Sequence, residues 1–149
     1  WFDAAYAEAP PAKDGGWLRG TQDPFVSRSL QLLHSAPDRD WTLETLCREV
    51  GRSRSALTEG FSRLVGLPPM QYLARWRMEL AAQLLVDCDM TVSEVARHVG
   101  YHSDVAFSRA FRRISGLPPA AWSRKEARRR SMAKNPQAAD RHPGTARAT

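Results

Sequence analysis

The apolar and polar residues follow a pattern that occurs twice along the chain. The segment TLETLCREVG at residues 42–51 returns as TVSEVARHVG at residues 91–100. A second pair follows, FSRLVGLPP at 61–69 and FRRISGLPP at 111–119, so the offset is 49 residues for the first pair and 50 for the second. Self-similarity at such a period indicates one supersecondary unit built twice. In each copy the pattern predicts a helix, a short glycine turn and a second helix.

The first copy is preceded by a predicted support helix. Asp23 is suited to cap a helix that begins at Pro24, and helical spacing of apolar residues continues to about Ser35. Thr42 is predicted to cap the first helix of the repeated unit, which ends at Gly51. The second helix begins at Ser53, and its inward residues are expected to be Leu57, Phe61, Leu64 and Val65.

A long helix over residues 69–86 is predicted between the two copies, because Pro69 suits the first turn of a helix. Its buried stripe is expected to hold Tyr72, Leu73, Trp76, Leu80, Leu84 and Leu85, while Arg75, Arg77 and Glu79 are expected to be solvated. Such a helix is on the order of 27 Å long at about 1.5 Å per residue. That length suits two units that contact DNA about one helical turn, roughly 34 Å, apart.

The second copy repeats the first with one extra residue after its glycine. Thr91 and Glu94 have the spacing of a capping box, and Gly100 ends the helix whose inner face holds Val92, Val95, Ala96 and Val99. Ser103 is predicted to cap a helix with Phe107, Phe111 and Ile114 inward, and a last helix runs from Pro119 to about Ala133. The fold class is therefore all-α, with about seven helices forming two helix-turn-helix, homeodomain-like subdomains joined by a long linker helix.

These elements divide the chain into five segments. Residues 1–22 are interpreted as the linker or tail of a missing upstream sensor domain. The remaining segments are a first helix-turn-helix subdomain at 23–67, the linker helix at 68–87, a second subdomain at 88–124, and a basic helix end with a disordered tail at 125–149.

The positive charge of the chain is concentrated at its C-terminal end. Residues 124–149 contain eight Lys or Arg and two acids, which accounts for the whole net charge of +6. Total charge therefore does not identify a polyanion partner, but several arginines beside the second helix of each unit favour one. No apolar run could span a membrane and no signal peptide is evident, so we expect a cytoplasmic protein with reduced thiols at Cys47 and Cys88.

The doubled pattern resembles the DNA-binding domain of the AraC/XylS family of bacterial transcription regulators. The matching motifs are GRSRS at 51–55, GLPPMQYL at 66–73, RWRMELA at 75–81, VARHVGY at 95–101 and FSRAFRR at 107–113. The resemblance covers about residues 23–124. It implies a sequence-specific transcription regulator, expected to be an activator, that places the second helix of each unit in one of two successive major grooves of double-stranded DNA.

Outward polar residues on these two helices are the predicted base contacts, since the major groove admits an α-helix and distinguishes all base pairs. Arg109 suits guanine, Glu59 suits cytosine N4, and Thr58 suits a thymine methyl group. Many members of the family carry Arg at the positions of both Glu59 and Arg109, so the first unit is expected to bind more weakly or to read a different base. The full predicted set is Arg54, Ser55, Thr58, Glu59, His102, Ser103, Asp104, Ser108 and Arg109.

Phosphate contacts are expected from residues that flank the two helices and from helix N-termini, whose free backbone N–H groups attract anions. The predicted set is Thr42, Arg52, Ser53, Arg63, Thr91, Arg112 and Arg113. For every one of these side chains, ordinary solvation at the surface is the competing interpretation. The basic run at residues 128–130 has the same two interpretations.

An enzyme is not expected, and neither a cofactor nor a metal site is predicted. The four histidines form no cluster with carboxylates or cysteines at ligand spacing, and no glycine-rich phosphate loop follows a strand. The competing functional class is a helical protein-interaction module with incidental DNA affinity. RNA polymerase is a candidate partner, through acidic residues such as Glu44 and Glu49 or through the linker helix. The effector would bind the missing domain. This fragment is expected to be monomeric.

Overall fold

The structure, a computed structural model, describes residues 23–134, which form seven α-helices and no strand. The predictions for residues 1–22 and for a disordered tail after residue 134 lie outside the described residues. The helices are α1 (Pro24–Ser35), α2 (Leu43–Val50), α3 (Arg54–Val65), α4 (Pro69–Asp87), α5 (Val92–His98), α6 (Asp104–Ser115) and α7 (Pro119–Lys134).

The helix starts follow the predicted capping residues. Asp23 Oδ1 accepts hydrogen bonds from the backbone N–H groups of Phe25 (2.9 Å) and Val26 (3.3 Å), which stabilises the first turn of α1. Thr91 and Glu94 form the expected capping box at α5. Thr42 caps α2 in the same way, but its partner three residues later is Thr45.

Two hydrophobic cores lie on either side of the long helix α4. The first packs α1, α2 and α3 around Leu30, Leu46 and Phe61, and α4 adds Leu73 to it. The second packs α5 and α6 around Val95, Phe107 and Phe111, and α4 adds Met78, Ala81 and Leu85. Helix α7 covers the second core, since Trp122 packs against it. The same helix therefore belongs to both cores.

The predicted buried stripe on α4 includes Leu73 and Leu85, which are buried, but it misses Met78 and Ala81. Met78 and Ala81 are fully buried, whereas Trp76 and Leu80 are half-buried. At 3.6 residues per turn, the second-core residues lie roughly 110° round the helix from Leu73. The prediction missed these two residues because α4 presents one face to the first unit and a different face to the second.

Two further burial predictions differ from the structure. Leu64 was expected to point inward with Leu57 and Phe61 but is 42% exposed, since the buried face of α3 is formed by Leu57, Gly60 and Phe61. Arg77 was expected to be solvated but is half-buried, because its guanidinium donates hydrogen bonds to backbone carbonyls of the loop between α1 and α2. Glu79 is also half-buried, and this burial raises the pKa of its carboxyl group.

Truncation of the central phenylalanines should destabilise the two units separately. Phe61→Ala and Phe111→Ala each remove a fully buried ring, so we expect each to lower the free energy of unfolding by about 3–5 kcal/mol. Urea unfolding measures the loss, and amide hydrogen exchange shows which unit has lost protection. Leu64→Ala is the matched control, with an expected effect of about 0.5 kcal/mol or less, because its side chain is exposed. A loss below about 1 kcal/mol for Phe61→Ala would contradict the assignment.

His34 at the end of α1 is packed between that helix and α4. Its Nε2 lies 2.6 Å from the Tyr72 hydroxyl oxygen, and its ring centroid lies 4.5 Å from that of Trp76. Burial lowers the pKa of His34, because desolvation disfavours the charged imidazolium. The neutral ring is therefore the form that the folded state prefers.

This preference predicts a loss of stability in acid. Below the unfolded-state pKa of about 6.5 the unfolded chain binds a proton at His34 that the folded chain resists, so the free energy of unfolding falls as the pH drops from 6.5 toward the folded-state pKa. Above that window this contribution is constant. Urea unfolding at pH 7.5 and 5.5 should show a smaller drop for His34→Gln than for the unaltered chain. Equal drops in both proteins would show that His34 does not carry the effect.

Candidate nucleic-acid interface

Helix α3 has an exposed row opposite its buried face. Ser55, Glu59 and Arg63 are spaced four residues apart and are all exposed, while Leu57, Gly60 and Phe61 are buried on the other side. Thr58 is half-buried and lies at the flank of this row. The first unit therefore presents one hydroxyl, one carboxylate and one guanidinium along the outside of its second helix.

Helix α6 has an equivalent row with different chemistry. Val105, Arg109 and Arg113 are exposed at the same four-residue spacing, with Phe107 and Phe111 buried behind them. Ser108 is half-buried at the flank, as Thr58 is in α3, and Arg112 is exposed beside the row. The row on α6 carries two positive charges and no carboxylate, whereas the row on α3 carries one charge of each sign.

Val105 is a candidate contact that the sequence prediction missed. Its side chain is 62% exposed and is therefore accessible to a ligand. The repeat aligns Val105 with Ser55, a predicted base contact, so the equivalence of the two units contained the signal. The predicted base contacts are all polar, although an apolar side chain is the natural partner of a thymine methyl group.

The first residue of each exposed helix is tied to the preceding helix of its own unit. Arg54 Nη2 lies 3.3 Å from Glu44 Oε2, and Asp104 accepts a short hydrogen bond from the Ser93 hydroxyl. Glu44 and Ser93 occupy equivalent positions in the two units. Arg54 and Asp104, both predicted base contacts, therefore brace the two helices of a unit against each other in this structure.

Residues just before α3 and α6 also have partners. The Arg52 guanidinium lies 4.1 Å from the centroid of the Phe25 ring. His102 Nε2 lies 2.6 Å from Asp40 Oδ1 in the loop between α1 and α2. The hydroxyls of Ser53 and Ser103 cap α3 and α6, where they accept hydrogen bonds from Ala56 N–H (3.3 Å) and Ala106 N–H (3.2 Å). A contact from His102 to a base would require it to leave Asp40.

The two predicted N-terminal phosphate sites differ in the charge of their capping boxes. The Thr42 backbone N–H donates to the neutral Thr45 hydroxyl (2.9 Å), while the Thr91 N–H donates to the Glu94 carboxylate (2.7 Å). The hydrogen bond from the Thr91 backbone is the largest cause of the lowered pKa of Glu94. This carboxylate is therefore charged at neutral pH and repels a phosphate at the start of α5. The capping box of α2 is neutral, and the acid in the first turn of α2, Glu44, is paired with Arg48 and Arg54.

Two other kinds of site are missing from the described part of the chain. Within residues 23–134, no group of three or more His, Cys, Asp or Glu side chains is arranged to hold a metal ion. No helix in the same range combines the length and apolar character needed to cross a bilayer.

The two repeated units, each with an exposed outer row on its second helix, define a double helix-turn-helix protein.

Comparison with known proteins gives the same class. The family described as a helix-turn-helix domain matches residues 46–125. A putative AraC-like transcription regulator of Streptomyces lividans is 42% identical over 117 residues, which is 78% of this chain and 38% of that protein. The chain belongs to the AraC family of transcription regulators and contains the DNA-binding domain of that family.

Two solved structures share the fold and 30% sequence identity with this chain. The C-terminal domain of AraT, a response regulator from Geobacillus stearothermophilus, is 30% identical with a TM-score of 0.67, over 69% of this chain and 86% of that one. The DNA-binding domain of AdpA, a global transcriptional factor solved in complex with a target DNA, is 30% identical with a TM-score of 0.66, over 75% of this chain and 96% of that one.

Proposed function

We propose that this chain binds double-stranded DNA sequence-specifically, with α3 and α6 as reading helices in two successive major grooves, and that it regulates transcription through this binding. The observation that carries the proposal is the pair of equivalent exposed rows on α3 and α6, held by one helix that belongs to both cores. An α-helix fits the major groove, where base edges are distinguishable.

The base contacts proposed for α6 rest on its exposed row. Arg109 is suited to donate two hydrogen bonds to guanine O6 and N7, and Val105 is suited to a thymine methyl group. On α3, Glu59 is suited to accept from cytosine N4, with Ser55 beside it. Thr58 and Ser108 lie at the flanks and would contact a base only at the edge of the groove. Because Arg54, Asp104 and His102 have partners within the protein, we give them supporting roles.

The phosphate contacts proposed are mostly exposed arginines at the ends of the reading helices. Arg63, Arg112 and Arg113 lie in the last turns, where they can reach the DNA backbone on either side of the groove. Arg52 lies at the other end of α3. The start of α2 at Thr42 and the cap at Ser53 can add backbone N–H groups, whereas the Glu94 carboxylate makes the start of α5 at Thr91 unsuitable.

The remaining parts of the function concern the whole regulator. Since the chain spans 38% of its Streptomyces relative, we propose that effector recognition lies outside the matched region. We also propose a cytoplasmic location and an activating role, with RNA polymerase contacted through the linker helix. Glu44 and Glu49 are less suited to that contact than expected, because they pair with Arg54 and Arg39.

The proposal is tested by selection from a pool of random duplexes at two salt concentrations. We expect an enriched site with two short boxes about one helical turn apart. With about 6–10 phosphate contacts, affinity should fall roughly 10³–10⁵-fold between 50 and 200 mM salt. An absence of both enrichment and salt-sensitive binding would reject DNA binding and favour a helical protein-interaction module, whose apolar contacts do not weaken in this way.

Arg109→Ala should remove a base contact and not only a charge. We expect a loss of about 1–3 kcal/mol at the selected site, with relaxed preference at one base pair of the second box, measured by fluorescence anisotropy on a set of single-base variants. Arg28→Ala is the control for loss of one exposed charge, because Arg28 is on α1 and is not part of either exposed row. An equal loss on every sequence would instead make Arg109 a phosphate contact.

A further inference from the structure

The Arg77 side chain lies where three parts of the molecule meet. It projects from α4, its Nε donates to the Pro37 carbonyl (2.8 Å), and its Nη2 donates to the Arg39 carbonyl (2.8 Å). Its guanidinium carbon also lies 5.8 Å from the centroid of the Tyr101 ring in the second unit. One guanidinium therefore contacts the linker helix, a loop of the first unit and the turn of the second unit.

The loop that accepts these hydrogen bonds is anchored to the first unit. Trp41 belongs to the first core, and its Nε1 donates to the Ala36 carbonyl (2.8 Å), which closes the loop on itself. The Arg39 guanidinium lies 4.2 Å from the Trp41 ring centroid and pairs with Glu49 of α2. The carbonyls that bind Arg77 therefore move with the first unit.

On the other side of Arg77, the Gly100–His102 turn of the second unit is closely packed at Gly100. Gly100 has a φ of +94°, and a Cβ atom there would lie 2.9 Å from Arg77 Nη2 and 3.0 Å from the Asp38 Cα atom. The equivalent Gly51 in the first unit has a φ of +73°, but a Cβ atom on it would meet nothing within 4 Å. Both positions favour glycine for the backbone angle, and only Gly100 also needs glycine for close packing between the units.

The turn leads directly into the second reading helix. His102, next to the Ser103 cap of α6, places its Nε2 2.6 Å from Asp40 Oδ1 of the same first-unit loop. The first unit is thus connected to the residues that set where α6 begins. Helix α4 is packed into both cores, and these contacts add a direct connection between the two units that resists bending or twisting of that helix.

From this geometry we infer that Arg77 is a positioning residue that fixes α6 relative to α3 and thereby restricts binding to DNA sites with one spacing between boxes. The inference rests on the proposed function, because spacing matters only if both helices read DNA. Arg77 itself does not contact DNA in this scheme. It acts by holding the Pro37–Asp40 loop and the Gly100–His102 turn together.

The first test measures the orientation of the units without DNA. Spin labels at Gln31→Cys and Ala120→Cys, both exposed and on helices other than the reading helices, report the distance between the units once the exposed Cys88 is replaced by Ser. We expect a narrow distance distribution for the otherwise unaltered chain and a broadened one with Arg77→Ala. A distribution that stays equally narrow with Arg77→Ala would overturn the inference, whatever the chain does with DNA.

The second test measures affinity against spacing. Each base pair inserted between the boxes rotates one box by about 34° and moves it by about 3.4 Å. Because simultaneous engagement of two linked modules contributes on the order of 100-fold in affinity, the unaltered chain should lose about that factor at a wrong spacing. With Arg77→Ala the loss should shrink to a few-fold. Equal weakening at all spacings would show a structural role without control of spacing.

Matched variants separate the loss of the Arg77 contacts from the loss of a charge and from backbone strain. Arg75→Ala removes an exposed arginine from the same helix and should leave both readouts unchanged. Gly51→Ala controls for the backbone strain in Gly100→Ala, and only the latter should broaden the distances. Arg77→Lys keeps the charge but not the forked donors, so it should give an intermediate result and serves if Arg77→Ala does not fold. If the unaltered chain selects no DNA site, the proposed function fails and the distance measurement still decides the role of Arg77.

Discussion

The constraint on which the rest of the structure depends is that one helix is part of two hydrophobic cores. Leu73 belongs to the first core, and Met78, Ala81 and Leu85 belong to the second. The two groups lie on different faces of α4, so the direction in which each unit projects is set by the residue positions along one helix. The two units are therefore not joined by a flexible linker, and their relative orientation is part of the fold.

This shared helix makes the two copies of the repeat unequal in their surroundings. Gly51 and Gly100 end equivalent helices with similar backbone angles, yet only Gly100 is packed against another unit. The turns before the two reading helices have likewise diverged, since Arg52 packs on Phe25 within its own unit while His102 contacts Asp40 of the other. The two units therefore share an interface. The second unit contributes the turn before α6, and the first unit contributes the loop between α1 and α2, which lies outside the repeated helices.

Features governed by local sequence were predictable, and features governed by contacts between units were not. The helix starts at Asp23 and Thr91 and the inward direction of Phe61 and Phe111 follow from capping chemistry and helical periodicity. The burial of Arg77 could not be read in this way, because its hydrogen-bond partners lie about 40 residues earlier in the chain. Val105 is a different case: its exposure follows from the repeat, but its apolar side chain does not fit a prediction based on polar contacts to base edges.

The distribution of charge shows why geometry matters more than total charge in this protein. The net charge of +6 belongs to the C-terminal stretch from residue 124 onward, while the α3 row is balanced by Glu59. The charge of that row gives little general attraction to phosphates. Helix α3 therefore binds DNA most favourably when α6 already holds the duplex in register. A fixed orientation between the units lowers the entropy cost of that second engagement, since less freedom remains to be lost on binding. The weaker electrostatics of the first unit and the rigid junction at Arg77 are therefore complementary parts of one arrangement.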